Sequence, residues 1–369
     1  MHLPTFFGEG KPLRLALAIL AAGLLLAALF RFTAAPEEPP PKVGFIILGD
    51  IRDPGWNASH YEGIRAACDA HGAELFVRDH VRPYSGECQK AVWDLAGSGC
   101  RLIVLASYEY PDEIKDIAGN YPEVSFAATS ASAYATNMTS YFPRMYQGRY
   151  LAGALAGLRT KTGVIGYVAA MPNAEICRGI NAFALGAQKT NPGAKVVVAW
   201  SGAWEAPEKE RALTERLVRE AGADILACHQ DDAAVAETAD RLGTDFIAYN
   251  APIPEGLTHG LAAIRCRWDI YYDDILRRHL KGELNAVKKR WVGIDRGAVL
   301  LDEVAPSISA DIRGQLYYLR RDLANGQLIF IGPIYDNRGV LRCEPGETIS
   351  DDTLLSSVDW LVRGVTVLE

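Results

Sequence analysis

No C-x-x-C pair occurs among the seven cysteines (Cys68, Cys88, Cys100, Cys177, Cys228, Cys266 and Cys343), which excludes zinc ribbons and thioredoxin-type redox motifs. Outside the cytoplasm some could pair, with the odd count leaving at least one free; equally, they can serve as small buried hydrophobes. The seven histidines show neither H-E-x-x-H nor H-x-x-x-H spacing, so no metal site is expected. No G-x-x-x-x-G-K-[ST] and no G-x-G-x-x-G follows a strand, which leaves a nucleotide-phosphate cradle and a dinucleotide cofactor without support. A G-x-S-x-G elbow is also missing. His229 beside Asp231 can be read as a proton-transfer pair, but polar residues this close at a strand end serve more often as helix caps. No catalytic set is assigned. The chain lacks a Lys/Arg block, and 38 basic against 45 acidic residues give a net charge of −7. Nothing in that balance draws it to nucleic acid.

Long apolar runs are scarce as well, with one exception. Leu15 to Phe30 is unbroken, preceded by Lys11 and Arg14 and followed by Arg31. The charges orient the start of the chain inward and the remainder outward. The 16 residues reach roughly 24 Å, and residues 13–32 reach a ~30 Å hydrocarbon core if Arg14 and Arg31 snorkel. A small-x-small site at Thr33 to Ala35 would place Pro36 after the scissile bond. An uncleaved anchor in a bacterial cell membrane is therefore favoured over a cleaved signal peptide and a soluble periplasmic protein. No cysteine near the run offers an acylation site. Residues 1–33 form the tip and anchor, and residues 34–41 (AAPEEPPP) an extended spacer.

From Lys42 short apolar runs alternate with helical periodicity. Strands are expected over Val43 to Gly49, Ala73 to Asp79, Arg101 to Ser107 and Val124 to Thr129. Helices are expected over Asn57 to Ala70, Cys88 to Ala96 and Pro111 to Ala118. A helix over Arg144 to Leu158, rich in small residues, precedes a second round. Its strands are Gly163 to Ala169, Lys195 to Trp200, Ala223 to Cys228 and Asp245 to Asn250, with helices over Ala174 to Thr190, Glu208 to Glu220 and Ala233 to Leu242. Such alternation means parallel, doubly wound sheets. One plan used twice gives an α/β protein of two lobes, expected as 42–142 with 251–285 and 143–250 with 286–369, separated by a cleft.

Ligands of α/β proteins bind at the carboxyl ends of strands and between domains. Those positions carry Trp56 and Asn57, Tyr108, Glu175, Trp204, Asp231, Asn250, and Trp268 with Asp269. Pro54-Gly55 makes a turn that thrusts Trp56 into the cleft, with Asn57 as the cap of the next helix. Aromatic faces beside amide and carboxylate groups suit a flat polar heterocycle. Taken singly, each tryptophan fits core packing better than a ligand; it is their grouping at strand ends that favours a site.

Ordered pieces of the chain resemble the basic membrane protein family of purine-nucleoside-receptor-like binding proteins. They are DPGWN (Asp53 to Asn57), YQGRYLAGALAG (Tyr146 to Gly157), TKTGVIGYVA (Thr160 to Ala169), EICRGINAFALGA (Glu175 to Ala187), NPGAKVVVAWSGAW (Asn191 to Trp204), GADILACHQD (Gly222 to Asp231), WDIYY (Trp268 to Tyr272) and GQLIFIGPIYDNRG (Gly326 to Gly339). The resemblance implies a type I periplasmic-binding fold that closes on a purine base or nucleoside and delivers it to an ABC permease and its ATPase. The nine strand-end residues named above are carried over as its ligand contacts, with Asn57, Asp231 and Asn250 setting polar specificity. Nucleoside-binding relatives have a D-x-G-F-N-type opening and an aspartate after the fourth strand. Here that strand ends Ala128-Thr129-Ser130-Ala131, so a free base such as adenine is expected over a nucleoside. A membrane-tethered sensor of the same fold is the main alternative, and a nucleoside-processing enzyme a lesser one.

Overall fold

The computed structural model describes residues 19–23, 39–53, 55–129 and 135–369. The expected anchor over residues 13–32, its central five residues apart, lies outside them, as does most of the spacer. Among the described residues no helix is long and apolar enough to cross a membrane. Both sheets belong to the unit Pro41–Glu369.

The first sheet has six strands in the order β2-β1-β3-β4-β5-β11. They are β1 (Lys42–Ile46), β2 (Glu74–Arg78), β3 (Leu102–Leu105), β4 (Ser125–Thr129), β5 (Met138–Pro143) and β11 (Lys289–Val292), parallel throughout. Helices cover both faces of a parallel sheet, which is why its strands read as continuous apolar runs; every residue of β3 is buried. β5, like β11, is covered by no expected element. Its Thr139 and Ser140 are polar yet buried, and the Thr139 hydroxyl donates to the Leu284 carbonyl at 2.9 Å.

The second sheet has seven strands in the order β12-β10-β9-β8-β6-β7-β15. These are β6 (Val164–Ala169), β7 (Lys195–Trp200), β8 (Ile225–His229), β9 (Asp245–Tyr249), β10 (Gly260–Cys266), β12 (Val299–Asp302) and β15 (Val365–Val367). Only the β10–β12 pair is antiparallel. A separate hairpin joins β13 (Ile334–Tyr335) to β14 (Leu341–Cys343).

Seven helices follow the expected alternation, α1 (Trp56–His71), α2 (Glu87–Gly97), α3 (Tyr110–Ile114), α4 (Met145–Arg159), α5 (Ala174–Thr190), α6 (Pro207–Arg219) and α7 (Ala234–Arg241), and beyond them lie α8 (Trp268–Leu280), α9 (Ala310–Ala324) and α10 (Asp351–Ser356). The small residues of α4 let it lie directly on α5. A Cβ at Gly153 would sit 1.9 Å from the Phe183 carbonyl oxygen, and one at Gly186 2.0 Å from that of Tyr150. Backbone therefore meets backbone, and either substitution would force the helices apart.

The lobe boundaries differ from the expected ones. Residues 251–285 were expected in the first lobe, but β10 pairs with β9 in the second sheet and only α8 returns to the first lobe, where it packs on α1. Residues 286–369 were expected wholly in the second, but β11 pairs with β5 in the first. The chain thus crosses at Arg144, at Arg267 and over 293–298, rather than near Asn250 and Leu284. Strand pairing, invisible to local periodicity, decides this. The crossings are laced together: Arg144 N–H donates to the Val292 carbonyl at 2.8 Å, and Arg267 N–H to that of Ala298 at 2.9 Å. The Tyr271 hydroxyl donates to the Phe142 carbonyl at 2.5 Å and accepts Val292 N–H at 2.9 Å.

Candidate functional site

A cavity lies where strand ends of the two lobes face each other. Leu48, Trp56, Ser107, Tyr108, Glu109, Thr129 and Phe142 line it from the first lobe, and Glu175, Trp204, His229, Asp231 and Tyr249 from the second. Its mix of aromatic walls with a limited set of polar groups is that of a small-molecule site.

The first-lobe wall is held by partners of its own. Gly55, with φ 106°, precedes α1 and lets Trp56 open the helix facing inward. The Trp56 indole N–H donates to the Ala106 carbonyl at 3.0 Å, which orients the ring. Behind it stands the buried ring of His60, 4.2 Å away centre to centre. Ser107 donates to the Glu109 carboxylate, and Thr129 donates to the Tyr141 hydroxyl at 2.5 Å.

The second-lobe wall is electrostatic. Asn173 caps α5 by accepting Ile176 N–H at 2.9 Å, which places Glu175 in the first turn, where the helix dipole favours a carboxylate. Burial pushes the Glu175 carboxyl up, but His229, Arg178 and Arg149 outweigh it and hold it below its usual range. The His229 ring nitrogen Nε2 is 3.6 Å from Glu175 Oε1. Burial and the Arg149 charge bring His229 down to about 4, so it is neutral near pH 7. Asp231 moves the other way: burial, then the carboxylates of Glu175, Glu205, Asp232 and Glu210, push it up to about 8. Its backbone N–H donates to the Trp204 carbonyl at 3.0 Å, tying the two loops together. Behind Tyr249 the buried Arg149 guanidinium stacks on the ring at 3.9 Å.

The lobes touch at the cavity rim. A Cβ on Gly55 would lie 3.0 Å from the Asp231 carbonyl oxygen. Only glycine at that position allows so close an approach at that φ.

Of the nine residues expected to bind ligand, Trp56, Tyr108, Glu175, Trp204 and Asp231 are brought together. The other four are not part of the lining. α1 begins one residue before Asn57, with Gly55 rather than Asn57 at its cap position; the Asn57 carboxamide packs against Gly49 instead. Asn250 is 4% exposed and left-handed at φ 55°, and its neighbour Tyr249 lines the cavity instead. Trp268 is a core residue, its ring 3.7 Å from that of His60 and its Cβ filling the space above Gly63. Asp269 pairs with Arg267 at 2.6 Å on the outer surface of α8. Sequence reasoning had not assigned Leu48, Ser107, Glu109, Thr129, Phe142, His229 or Tyr249 as ligand contacts. Ser107 and Glu109 flank Tyr108, which lines the cavity beside them, and Tyr249 lines it next to Asn250, which does not. Phe142 belongs to the unexpected β5. Among the described residues no cluster of His, Cys, Asp or Glu has the makings of a metal site.

Three comparisons bear on this geometry. The family model "Bmp: ABC transporter substrate-binding protein PnrA-like" matches residues 41–337. A purine-binding protein of Brucella abortus (strain 2308) is 31% identical over 344 residues, spanning 90% of this chain and 95% of the relative. A Haloferax volcanii protein named for ABC-transporter glucose binding, TsgA13, is 30% identical over 332 residues, spanning 89% and 81%. Among solved structures, an ABC transporter solute-binding protein of Aeropyrum pernix K1 superposes with a TM-score of 0.66 at 18% identity, covering 80% of this chain and 94% of that one. At that identity the match speaks for the two-lobed fold alone.

Proposed function

Because this chain belongs to the Bmp family of PnrA-like ABC transporter substrate-binding proteins, we propose that it closes its two lobes on a purine base, adenine in preference, and presents it to the permease. Proteins of this family bind and deliver; they do not turn over a substrate. One arrangement carries the choice of base: aromatic side chains of both lobes line the cavity beside the Asp231 carboxyl, which burial and neighbouring carboxylates push up to about 8. Trp56 and Phe142 from one lobe and Trp204 and Tyr249 from the other line the cavity, and aromatic side chains are suited to stacking on a planar ring. Asp231, held protonated, can donate and accept at once. Adenine presents that complement, a ring-nitrogen acceptor beside the exocyclic amino donor. An ionised carboxylate only accepts and would suit the two adjacent N–H donors of guanine instead.

The Brucella relative named for purine binding supports this reading. The Haloferax relative named for glucose supplies the competing ligand, because aromatic faces also stack on sugars. A thermal-shift series with adenine, guanine, adenosine and glucose separates them. A ligand that binds only the folded state at ~100 times its Kd adds roughly 2.7 kcal/mol, visible as a higher melting temperature. Adenine is expected to give the largest shift. A shift with glucose and none with any purine would overturn the assignment.

Residues 13–32 complete the proposal as an uncleaved anchor that holds the receptor at the outer face of the cell membrane. Retention of the full-length chain in the membrane fraction after an alkaline wash is the expected result. Release of a chain that starts near Ala34 would mean cleavage.

A further inference from the structure

Thr129 lines the cavity, but its hydroxyl proton points elsewhere. It donates to the Tyr141 hydroxyl at 2.5 Å, which lies 2.9 Å from the Tyr272 hydroxyl, which in turn meets Nδ1 of His60. The four side chains come from β4, β5, α8 and α1, and each is buried, with His60 at 0% exposure. The His60 ring lies between Trp268 at 3.7 Å and Trp56 at 4.2 Å, so the chain runs from one cavity-lining residue back to another. Nε2 of His60 is buried and has no partner among the described residues. An unsatisfied buried nitrogen is costly, and packing alone does not call for a histidine here.

The direction of the chain follows from its ends. With the Thr129 proton given to Tyr141, the Tyr141–Tyr272 and Tyr272–His60 contacts, each open to either direction, run in one sense when Tyr141 donates to Tyr272 and Tyr272 to Nδ1, which then accepts. A neutral imidazole with its proton on Nε2 can do that, whereas an imidazolium cannot. Burial, which strongly disfavours charge on His60, keeps it neutral. The aligned hydroxyls polarise one another in one sense. What remains for the cavity is the lone-pair side of the Thr129 oxygen.

Resting on the purine-base reading, we propose that Thr129 determines specificity by accepting a ligand N–H, and that His60, acting through Tyr272 and Tyr141, is the positioning residue that fixes this polarity. The subsite admits an exocyclic amino group and rejects an oxo group, whose lone pairs would face those of Thr129. It therefore separates 6-aminopurine from 6-oxopurine.

The test titrates adenine and hypoxanthine into the full-length wild-type chain and into three variants. The wild type is expected to prefer adenine by tenfold or more. Thr129→Val removes the acceptor, and Tyr272→Phe breaks the chain without touching the cavity. Each should cut the adenine-to-hypoxanthine ratio by roughly tenfold, while Thr129→Ser keeps it. Adenine and hypoxanthine binding with an unchanged ratio in Thr129→Val overturns the subsite. An unchanged ratio in Tyr272→Phe alone overturns the role of the buried chain and leaves the purine reading intact. Failure of any purine to bind the wild type removes both. Melting curves identify a variant that does not fold, and the other broken link then decides.

Discussion

The two walls of the cavity differ in how their lining side chains are held. The lining side chains of the first-lobe wall are bonded before any ligand arrives, Trp56 to Ala106, Ser107 to Glu109, and Thr129 to Tyr141, while His60 Nε2, Asn57 Oδ1 and Trp268 Nε1 behind them have no partner among the described residues. The second-lobe wall is unresolved electrostatically. Neither ring nitrogen of His229 has a hydrogen-bond partner, nor does one Arg149 nitrogen, nor either polar atom of the Asn250 side chain, among the described residues. Burial and the neighbouring carboxylates meanwhile push the Asp231 carboxyl up to about 8. A prepaid platform gives shape, because its side chains cannot reorient. A frustrated wall gives discrimination, because only a ligand of matching donors and acceptors relieves it. A hinge of three laced crossings lets one close on the other.

If both walls grip one planar ring, removing either aromatic face should cost the most. Trp56→Ala and Trp204→Ala are each expected to weaken adenine binding by about 1–3 kcal/mol, roughly 5- to 150-fold, read by calorimetry. A large loss in only one of them would mean that one lobe does the binding.

The contact between the walls comes next. Gly55→Ala adds a methyl group 3.0 Å from the Asp231 carbonyl at a φ of 106°. Adenine affinity should fall about tenfold through incomplete closure, and small-angle scattering should show no contraction on adding ligand. Full affinity with full contraction would contradict the rim contact.

The protonation of Asp231 gives a third, pH-dependent prediction. Wild-type adenine affinity should hold to about pH 8 and drop above it, by about tenfold per unit once the carboxyl ionises. Asp231→Asn, which keeps one donor and one acceptor, should bind adenine with no such drop. Stability follows the same linkage. The folded pKa is about 8 against 3.8 for the free group, so the folded state holds the proton more tightly. That contribution is complete below pH 3.8 and lost as pH rises toward 8. Ligand-free Asp231→Asn should therefore melt higher than wild type at pH 8, with the gap closing at pH 4.

Asp269→Ala is the smallest effect expected. Its carboxylate pairs with Arg267 on an exposed surface, a contact of at most about 1 kcal/mol, and adenine affinity should change less than twofold. A larger loss would place α8 at the ligand.

Local pattern carried the architecture well, because parallel strands buried on both faces leave continuous apolar runs such as Leu102–Leu105. It failed where polar residues are buried by pairing, as in β5, whose Thr139 and Ser140 look like a loop. It also failed at the lobe boundaries, since β10 and β11 choose their sheets through long-range pairing. At the site, alternation found the loops but not the direction of each side chain. A one-residue shift in where α1 starts took Asn57 out of the lining, and Tyr249 faces the cavity in place of Asn250. Trp268 read as a ligand contact because an aromatic residue at a helix start looks the same whether it faces a cleft or, as here, His60 and Tyr272. The carboxylates around Asp231 come from different loops, so its held proton has no signature along the chain.

The most direct test is calorimetric titration of the full-length protein with adenine and, separately, with glucose at pH 7. The account predicts one adenine per chain, with a negative heat-capacity change from burial of the ring, and no heat from glucose. Saturable glucose binding with no response to adenine would contradict it.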